Sequence, residues 1–144
     1  MPSEFKHERR IEFHETDMAG IVHFSNYFRF MEACEHAFVQ SLGLTLHSED
    51  GDTMLGWPRV HAECDYSRPL RYMDLVEVHL SVREKTRKQI VYDFVFRVEG
   101  EGEVARGALR VVSVARGPGD ERMRAVDMPA ELFERIEVAA EGKH

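Results

Sequence analysis

Residues 24–42 read FSNYFRFMEACEHAFVQSL, and this stretch decides the fold. Its apolar side chains recur at intervals of three and four positions, so one face of a helix carries them all. They are Phe24, Tyr27, Phe28, Met31, Cys34, Phe38 and Leu42. Gly43 follows at the position where a helix is commonly capped. Because the apolar stripe is wider than a surface helix needs, we expect a helix over 24–42 that a sheet encloses.

Outside this helix the apolar pattern is typical of strands. We predict strands over 5–13, 60–66, 76–82, 90–98 and 104–115. The last two are almost continuously apolar, which favours central strands that are covered on both faces or buried in a subunit contact. A short helix is predicted over 129–136. One strand, one long helix and then about four strands make an α+β fold with an antiparallel sheet.

Length and charge narrow the classes of function. The chain has 144 residues, and no repeat or linker divides residues 1–144, so we expect one domain. Its 19 basic and 26 acidic residues give a net charge of −7, which argues against nucleic acid or an anionic membrane as a partner. No segment approaches the roughly 18 apolar residues that span a bilayer, and the charged start lacks a signal core. We therefore expect a cytoplasmic protein.

The spacing of cysteine and histidine argues against metal and redox sites. Cys34 and Cys64 lack C-x-x-C spacing, so we expect them to be buried small side chains. The eight histidines are His7, His14, His23, His36, His47, His61, His79 and His144. They form no H-x-x-x-H or H-E-x-x-H pattern, and we expect no metal. A nucleophile elbow, a phosphate-binding loop and a dinucleotide fingerprint are also missing.

Residues 14–27, HETDMAGIVHFSNY, place a carboxylate in a loop just ahead of the long helix. A helix N-terminus offers unpaired N–H groups that can bind a developing oxyanion, while a nearby carboxylate attacks or activates water. Asp17 is placed for such work. A carboxylate in a Thr-Asp turn also commonly caps its own loop, and spacing alone favours that second role.

Residues 15–22, ETDMAGIV, followed by Asn26-Tyr27, resemble the signature of the 4-hydroxybenzoyl-CoA thioesterase branch of the hot-dog fold. In that family an Asp, a Gly three residues later, an Asn-Tyr pair and a long helix occur in this order. The similarity continues over most of the chain. The resemblance implies an antiparallel sheet of five or six strands curled around the central helix. It also implies two subunits that join their sheets, with active sites at their boundary, and dimers that often pair into homotetramers.

The same resemblance implies an acyl-CoA thioesterase that needs no cofactor. The family's catalytic carboxylate falls on Asp17, acting as nucleophile or as general base, and the backbone N–H of Phe24 would polarise the thioester carbonyl. A related branch has His at the position of Phe24, whereas here His23 stands one residue earlier. A role of His23 in the loop or in lining the pocket is therefore at least as well supported as a role in proton transfer. An aromatic residue at 24 favours an aromatic or bulky acyl group.

Further substrate contacts are implied at four positions. Tyr27 belongs to the Asn-Tyr pair, and Gly56 resembles a glycine that lines the thioester site. Arg87 and Lys88 resemble the segment that holds the CoA phosphates, for which their charge is suited. On the residues alone, Gly56 is equally a turn before a strand, and the basic cluster 85–88 is equally a solvated hairpin.

Two other functions remain open at this point. A non-catalytic module that binds an acyl ligand or a protein could keep the same dimer, because a fold does not establish an activity. A dehydratase of this fold ranks last, since no matching Asp and His pair stands in the helix region. The sequence does not decide the acyl group, CoA against acyl carrier protein, or dimer against tetramer.

Overall fold

The computed structural model describes residues 2–46, 48–50 and 53–140, with the backbone alone at 48–50. In chain order the strands are β1 (Glu4–Arg10), β2 (Ser48–Asp50), β3 (Thr53–Gly56), β4 (Arg59–Tyr66), β5 (Leu75–Lys85), β6 (Gln89–Val98), β7 (Gly102–Val112), β8 (Val114–Arg116) and β9 (Arg124–Ala125). The helices are a 3-10 turn (Phe13–Glu15), α1 (Asn26–Ser41) and α2 (Ala130–Arg135).

The strands form two antiparallel sheets. The main sheet has the order β1-β5-β6-β7-β4, and the small sheet has the order β2-β3-β8-β9. Helix α1 packs against β1, β5 and β4 on one face of the main sheet. This arrangement confirms the predicted α+β fold with one long helix against an antiparallel sheet.

The core lies between α1 and the main sheet. From the helix it takes fully buried side chains such as Phe30, Met31 and Phe38, and from β6 it takes Tyr92, Phe94 and Phe96. The helix ends as the sequence predicted, because Gly43 adopts a left-handed φ of 77° and its N–H donates to the Gln40 carbonyl. The burial of Glu35 on the same helix face was not predicted.

The first strand is shorter than predicted. It ends at Arg10 rather than at residue 13, because Ile11 N–H leaves the ladder and donates to the Asp74 carbonyl. Phe13 then falls in the 3-10 turn with 73% of its surface exposed. The loop prediction for 14–23 holds apart from that turn and isolated bridges such as Thr16 to Val22.

The predicted strand over 104–115 is two strands. It breaks at Ser113, whose N–H donates to the Lys88 carbonyl, and the chain then crosses into the small sheet as β8. A run of apolar residues does not reveal such a crossing, because both strands bury their side chains. The predicted helix over 129–136 is confirmed as α2, with Pro129 at its N-cap.

Strand β4 lies at the edge of the main sheet, and its alternating apolar side chains are only partly buried within this chain. Ala62 and Cys64 pair with Leu109 and Gly107 of β7, yet most of β4 stays exposed. Val60 and Tyr66 are exposed as well. No helix in the described residues is long and apolar enough to cross a membrane.

Candidate active site

The loop between β1 and α1 is held in one conformation by its own backbone. Asp17 N–H donates to the Ile21 carbonyl at 2.8 Å, and Gly20 N–H donates to the Asp17 carbonyl at 3.0 Å. Gly20 has a φ of 82°, which a side chain would disfavour. The sequence T-D-M-A-G therefore closes a tight turn that presents Asp17 at its first corner.

The Asp17 carboxylate combines the two roles that the sequence left open. Its Oδ1 accepts the N–H of Ala19 at 2.8 Å, which is the loop-capping contact. No partner within the described residues binds its second oxygen, and the side chain is exposed at the rim of a pocket. The capping bond thus orients a carboxylate that still has an oxygen available for chemistry.

Contacts from two sides fix the loop to the start of the helix. Asn26 Nδ2 donates to the Glu15 carbonyl at 2.8 Å, and His23 N–H donates to the same carbonyl at 3.0 Å. Val22 N–H donates to the Leu70 carbonyl at 2.8 Å. These bonds explain why an Asn opens the helix, and they hold the Asp17 loop against the first turn of α1.

The backbone N–H of Phe24 stands just before this first turn. Its neighbours His23 and Asn26 both donate to backbone carbonyls, but no acceptor pairs with the Phe24 N–H in the portion of the chain that the structure describes. The carbonyl of Phe24 is held separately, by the Tyr66 hydroxyl at 3.0 Å. A backbone donor without a partner at a helix start is the arrangement that stabilises an oxyanion.

A pocket of about 470 Å³ joins these groups. It is lined by Asp17, Ile21, Val22, Phe24, Tyr27, Tyr66, Ser67, Arg68 and Pro69. The pocket therefore brings together three of the predicted site residues, and most of its lining is apolar. A low-polarity wall strengthens the electrostatic effect of the few polar groups that face the cavity.

The two phenols of the pocket remain protonated at neutral pH. Burial raises the pKa of Tyr27, although a backbone hydrogen bond at Leu70 opposes the shift. Burial, together with the neighbouring Cys64, raises the pKa of Tyr66 to about 12. The Tyr27 ring packs edge-on against Tyr66 with ring centroids 4.8 Å apart, so α1 and β4 hold one another through the pocket wall.

The His23 side chain contacts its sequence neighbours and does not line the Asp17 pocket of this chain. Its Nδ1 lies 2.8 Å from the Ser25 hydroxyl, and its ring stacks on Phe24 with centroids 4.6 Å apart. It is exposed and is absent from the lining of the pocket. The stacking fixes the Phe24 side chain, which keeps 64% of its surface exposed.

Gly56 is not brought to this pocket. It lines a second cavity of about 380 Å³ beside α1, with Glu32, His36, Trp57 and Arg59 among the other lining residues. The Arg59 guanidinium there reaches the buried carboxylate of Glu35. Burial raises the pKa of Glu35 to about 7, although the guanidinium opposes the shift.

Arg87 and Lys88 lie at the far end of the sheet from Asp17. The Asp17 loop follows the end of β1 at Arg10, which pairs with Leu75 at the start of β5. The basic hairpin follows the other end of β5, which has 11 residues and spans roughly 34 Å. The Lys88 Nζ lies 2.9 Å from Asp127, and the Arg87 guanidinium lies 5.0 Å from the Phe133 ring centroid.

One group of potential metal ligands occurs in the described part of the chain. Glu12, His14 and Glu15 place ligand atoms within 4.8 Å of one another. The protein already uses these atoms, because Glu12 contacts the His14 ring at 2.6 Å and Glu15 accepts the Glu12 N–H and pairs with Arg9. Of the histidines weighed from the sequence, His47 and His144 lie outside the described residues.

Sequence reasoning missed Tyr66 and Arg68 as lining residues of the pocket. Arg68 lines the pocket, and its guanidinium donates to the Glu101 carbonyl at 3.1 Å. The sole local signal was the end of a predicted strand just before Pro69. Proximity to Asp17 depends on how β4 pairs with β7, which is a long-range feature.

Comparisons with known proteins show what the chain is similar to. Residues 19–105 match the model of the thioesterase superfamily. A protein of Aquifex aeolicus is 35% identical over 130 residues, which cover 90% of this chain and 95% of the relative. A 1,4-dihydroxy-2-naphthoyl-CoA hydrolase of Synechococcus elongatus is 32% identical over 95 residues, covering 64% of this chain and 68% of the relative.

A solved structure shows the same similarity in three dimensions. The 4-hydroxybenzoyl-CoA thioesterase of Pseudomonas sp. strain CBS-3 superimposes with a TM-score of 0.76 at 25% identity. The match covers 92% of this chain and 98% of that protein.

Proposed function

The chain belongs to the thioesterase superfamily, and from this premise we propose that it is an acyl-CoA thioesterase whose reacting groups are Asp17 and the Phe24 N–H. Hydrolysis of a thioester needs an activated nucleophile and a donor for the oxyanion that forms on the carbonyl oxygen. The pocket supplies one candidate for each. The observation that carries the proposal is that one apolar pocket is lined both by an oriented carboxylate and by a residue whose backbone N–H has no partner in the described part of the chain.

Asp17 acts in one of two ways that share the same products. As a general base it takes a proton from water, the hydroxide attacks the carbonyl carbon, and the C–S bond breaks to release CoA thiolate, which takes up the proton. As a nucleophile its oxygen attacks the carbonyl carbon, CoA thiolate leaves, and water then hydrolyses the mixed anhydride. Label in the Asp17 side chain after a single turnover in heavy-oxygen water would identify the nucleophilic route with water attacking the Asp17 carbon of the anhydride, because the general-base route places the label in the released acid alone.

The Phe24 N–H would donate a hydrogen bond to the carbonyl oxygen of the thioester. An oxyanion donor of this kind typically contributes about 3 kcal/mol to lowering the barrier. Because the donor belongs to the backbone, it is fixed by the bonds of the loop and by Tyr66 rather than by a side-chain rotamer. The site is therefore organised before substrate arrives.

We infer an aryl or medium-length acyl group as the substrate. The pocket offers apolar and aromatic surface from Val22, Phe24, Tyr27 and Tyr66. Two similar proteins act on 4-hydroxybenzoyl-CoA and 1,4-dihydroxy-2-naphthoyl-CoA by their names, and both acyl groups are aromatic. An aromatic acyl group gains contact with aromatic side chains in such a pocket.

The full substrate site is proposed to form between copies of this chain. Arg87 and Lys88 are candidates for the CoA phosphates and Gly56 for the approach of the thioester, yet one chain places none of them beside Asp17. Strand β4 exposes apolar side chains, and its outer edge pairs with no other strand in the described residues, which favours sheet-to-sheet association. We propose a dimer or tetramer in the cytoplasm, where CoA esters and free thiols such as Cys34 and Cys64 are expected.

The test is thiol release from a panel of aryl- and alkyl-CoA esters by the native protein and by Asp17→Asn. The substitution keeps the size and the Oδ1 acceptor of the loop but removes the base and nucleophile. We expect at least one aryl ester to be hydrolysed and the variant to lose about 100-fold or more in kcat. Glu8→Gln, the same change at an exposed position of β1, serves as the matched control and keeps native activity.

Two results would contradict the proposal in different ways. Equal activity of Asp17→Asn and the native protein would remove Asp17 from the chemistry. Binding of CoA esters without hydrolysis by the native protein would favour the non-catalytic module instead.

A further inference from the structure

Tyr66 is the last residue of β4, and its hydroxyl contacts Phe24, two residues before helix α1 begins. The phenol donates to the Phe24 carbonyl at 3.0 Å across 42 positions of sequence. The Phe24 carbonyl precedes the regular part of α1, which begins at Asn26. The bond therefore links the main sheet to the residue whose N–H has no acceptor among the described residues.

The surroundings of Tyr66 make this tie specific. Its ring packs edge-on against Tyr27, which in turn packs edge-on against Phe96 with centroids 5.5 Å apart. Tyr27 and Phe96 are buried, so the Tyr66 ring rests on a rigid support. Because the ring is supported in this way, the Tyr66 hydroxyl can hold the Phe24 carbonyl in a fixed position.

The protonation state of Tyr66 suits this role. Because partial desolvation, together with the neighbouring Cys64, raises the pKa of Tyr66 to about 12, the hydroxyl remains a donor at neutral pH. The group has no part in the proton transfers proposed for Asp17, since its proton is already committed to the Phe24 carbonyl.

We propose that Tyr66 is a positioning residue of the thioesterase site: by holding the Phe24 carbonyl, it anchors the backbone of residue 24 to the main sheet and so keeps the Phe24 N–H in place for the substrate carbonyl. The inference rests on the proposed function. A donor that points at the oxyanion must keep its place within a fraction of an ångström, and small displacements cost much of its effect. Without the phenol, residue 24 keeps its N–H but loses the contact that anchors its backbone to the sheet.

The experiment compares Tyr66→Phe with Tyr72→Phe in steady-state hydrolysis of the best aryl-CoA ester. Tyr66→Phe removes one hydroxyl and keeps the ring against Tyr27. Tyr72→Phe is the matched control, because Tyr72 is exposed and packs on Phe13 outside the pocket. We expect Tyr66→Phe to lower kcat about tenfold with KM within twofold, and Tyr72→Phe to change neither constant.

Two further readouts separate positioning from a merely structural role. The pH of half-maximal kcat/KM on the acid side should stay as in the native protein, because Asp17 is untouched. The backbone amides of His23 and Asn26, which donate to the Glu15 and His23 carbonyls on either side of residue 24, should exchange with deuterium faster in Tyr66→Phe, while the melting temperature falls by no more than a few degrees.

The outcomes are distinct from those of the Asp17 test. A native kcat in Tyr66→Phe, alongside an inactive Asp17→Asn, would overturn this inference and leave the proposed function standing. A higher KM or a lower melting temperature with an unchanged kcat would also overturn it, because Tyr66 would then contribute to binding or folding only. If the native protein hydrolyses no thioester, the inference falls together with the proposed function.

Discussion

Met31 of α1 lies directly over Gly107 of β7, so closely that a Cβ at position 107 would stand 2.1 Å from the Met31 Cε. The carbonyl of Glu63 on the neighbouring strand β4 would be 3.0 Å away on the other side. The missing side chain at 107 thus sets how near the helix approaches the sheet. Met31 itself is fully buried, so it has little room to move aside.

Gly107→Ala is therefore expected to lower the free energy of unfolding by about 1–3 kcal/mol, the usual cost of overpacking a core. Urea unfolding of the native protein and the variant measures the loss. The matched test repeats the change in a Met31→Ala background, where the space above position 107 is open. An equal loss in both backgrounds would show that the helix contact is not the cause.

Met73 carries backbone strain that a glycine would relieve. It is the described non-glycine residue with a positive φ, at 75°, and its side chain is 55% exposed. We expect Met73→Gly to raise the free energy of unfolding by about 0.5–1 kcal/mol, because the left-handed region costs other residues more than it costs glycine. Met54→Gly, at an exposed position of the extended strand β3, should instead destabilise. Destabilisation by both changes would refute the assignment of strain.

The buried pair of Glu35 and Arg59 predicts a pH-dependent stability. Burial raises the folded-state pKa of Glu35 to about 7, above its value in the unfolded chain, so the native state binds the proton more tightly. Stability from this group is present at low pH and is lost as the pH rises towards 7. Arg59 limits that loss, since its guanidinium pairs with the Glu35 carboxylate.

Arg59→Met should therefore cost more at pH 8, about 3–5 kcal/mol, than at pH 5, where Glu35 is neutral with or without its partner. Chemical denaturation at the two pH values measures the difference. The control is Arg83→Met, whose guanidinium pairs with Asp93 on the outer face of the sheet and whose removal should cost similar small amounts at both pH values. A cost of Arg59→Met that is independent of pH would contradict the assignment.

The basic hairpin offers a prediction about binding alone. Lys88→Gln should raise KM for a CoA ester about three- to tenfold without changing kcat, because a phosphate contact is the same in ground and transition states. The same variant should act normally on an N-acetylcysteamine thioester, which lacks the nucleotide. Lys6→Gln, at an exposed position of β1, is the control. A loss of activity on both substrates would assign Lys88 to something other than the nucleotide.

Local pattern predicted the regular elements because their side chains repeat over many residues. Helix α1 differs from its predicted bounds by two residues at the start and one at the end, and Gly43 ends it as expected. The small sheet was not predicted, since β2, β3, β8 and β9 have two to four residues each and gain their order from long-range pairing. The burial of Glu35 was missed because its partner Arg59 lies 24 positions away.

The candidate site likewise has parts that local sequence predicts and parts that depend on long-range pairing. The Asp17 turn follows from local residues, as does the approach to the helix start, and both could be predicted. The phenol of Tyr66 could not, because its contact with Phe24 exists only once β4 has paired with β7. The roles of Gly56, Arg87, Lys88 and His23 stay predictions, since one copy of the chain leaves each of them outside the pocket of Asp17.

Phe24 lines the pocket, and 64% of its surface is exposed. The N–H that would bind the oxyanion is present whatever side chain residue 24 carries, provided that it is not proline. Mutation at this one codon can therefore reshape the wall that meets the acyl group while the chemistry is inherited intact. Under the proposed function, residue 24 thus separates the choice of acyl group, which would depend on its side chain, from the oxyanion donor, which would depend on its backbone.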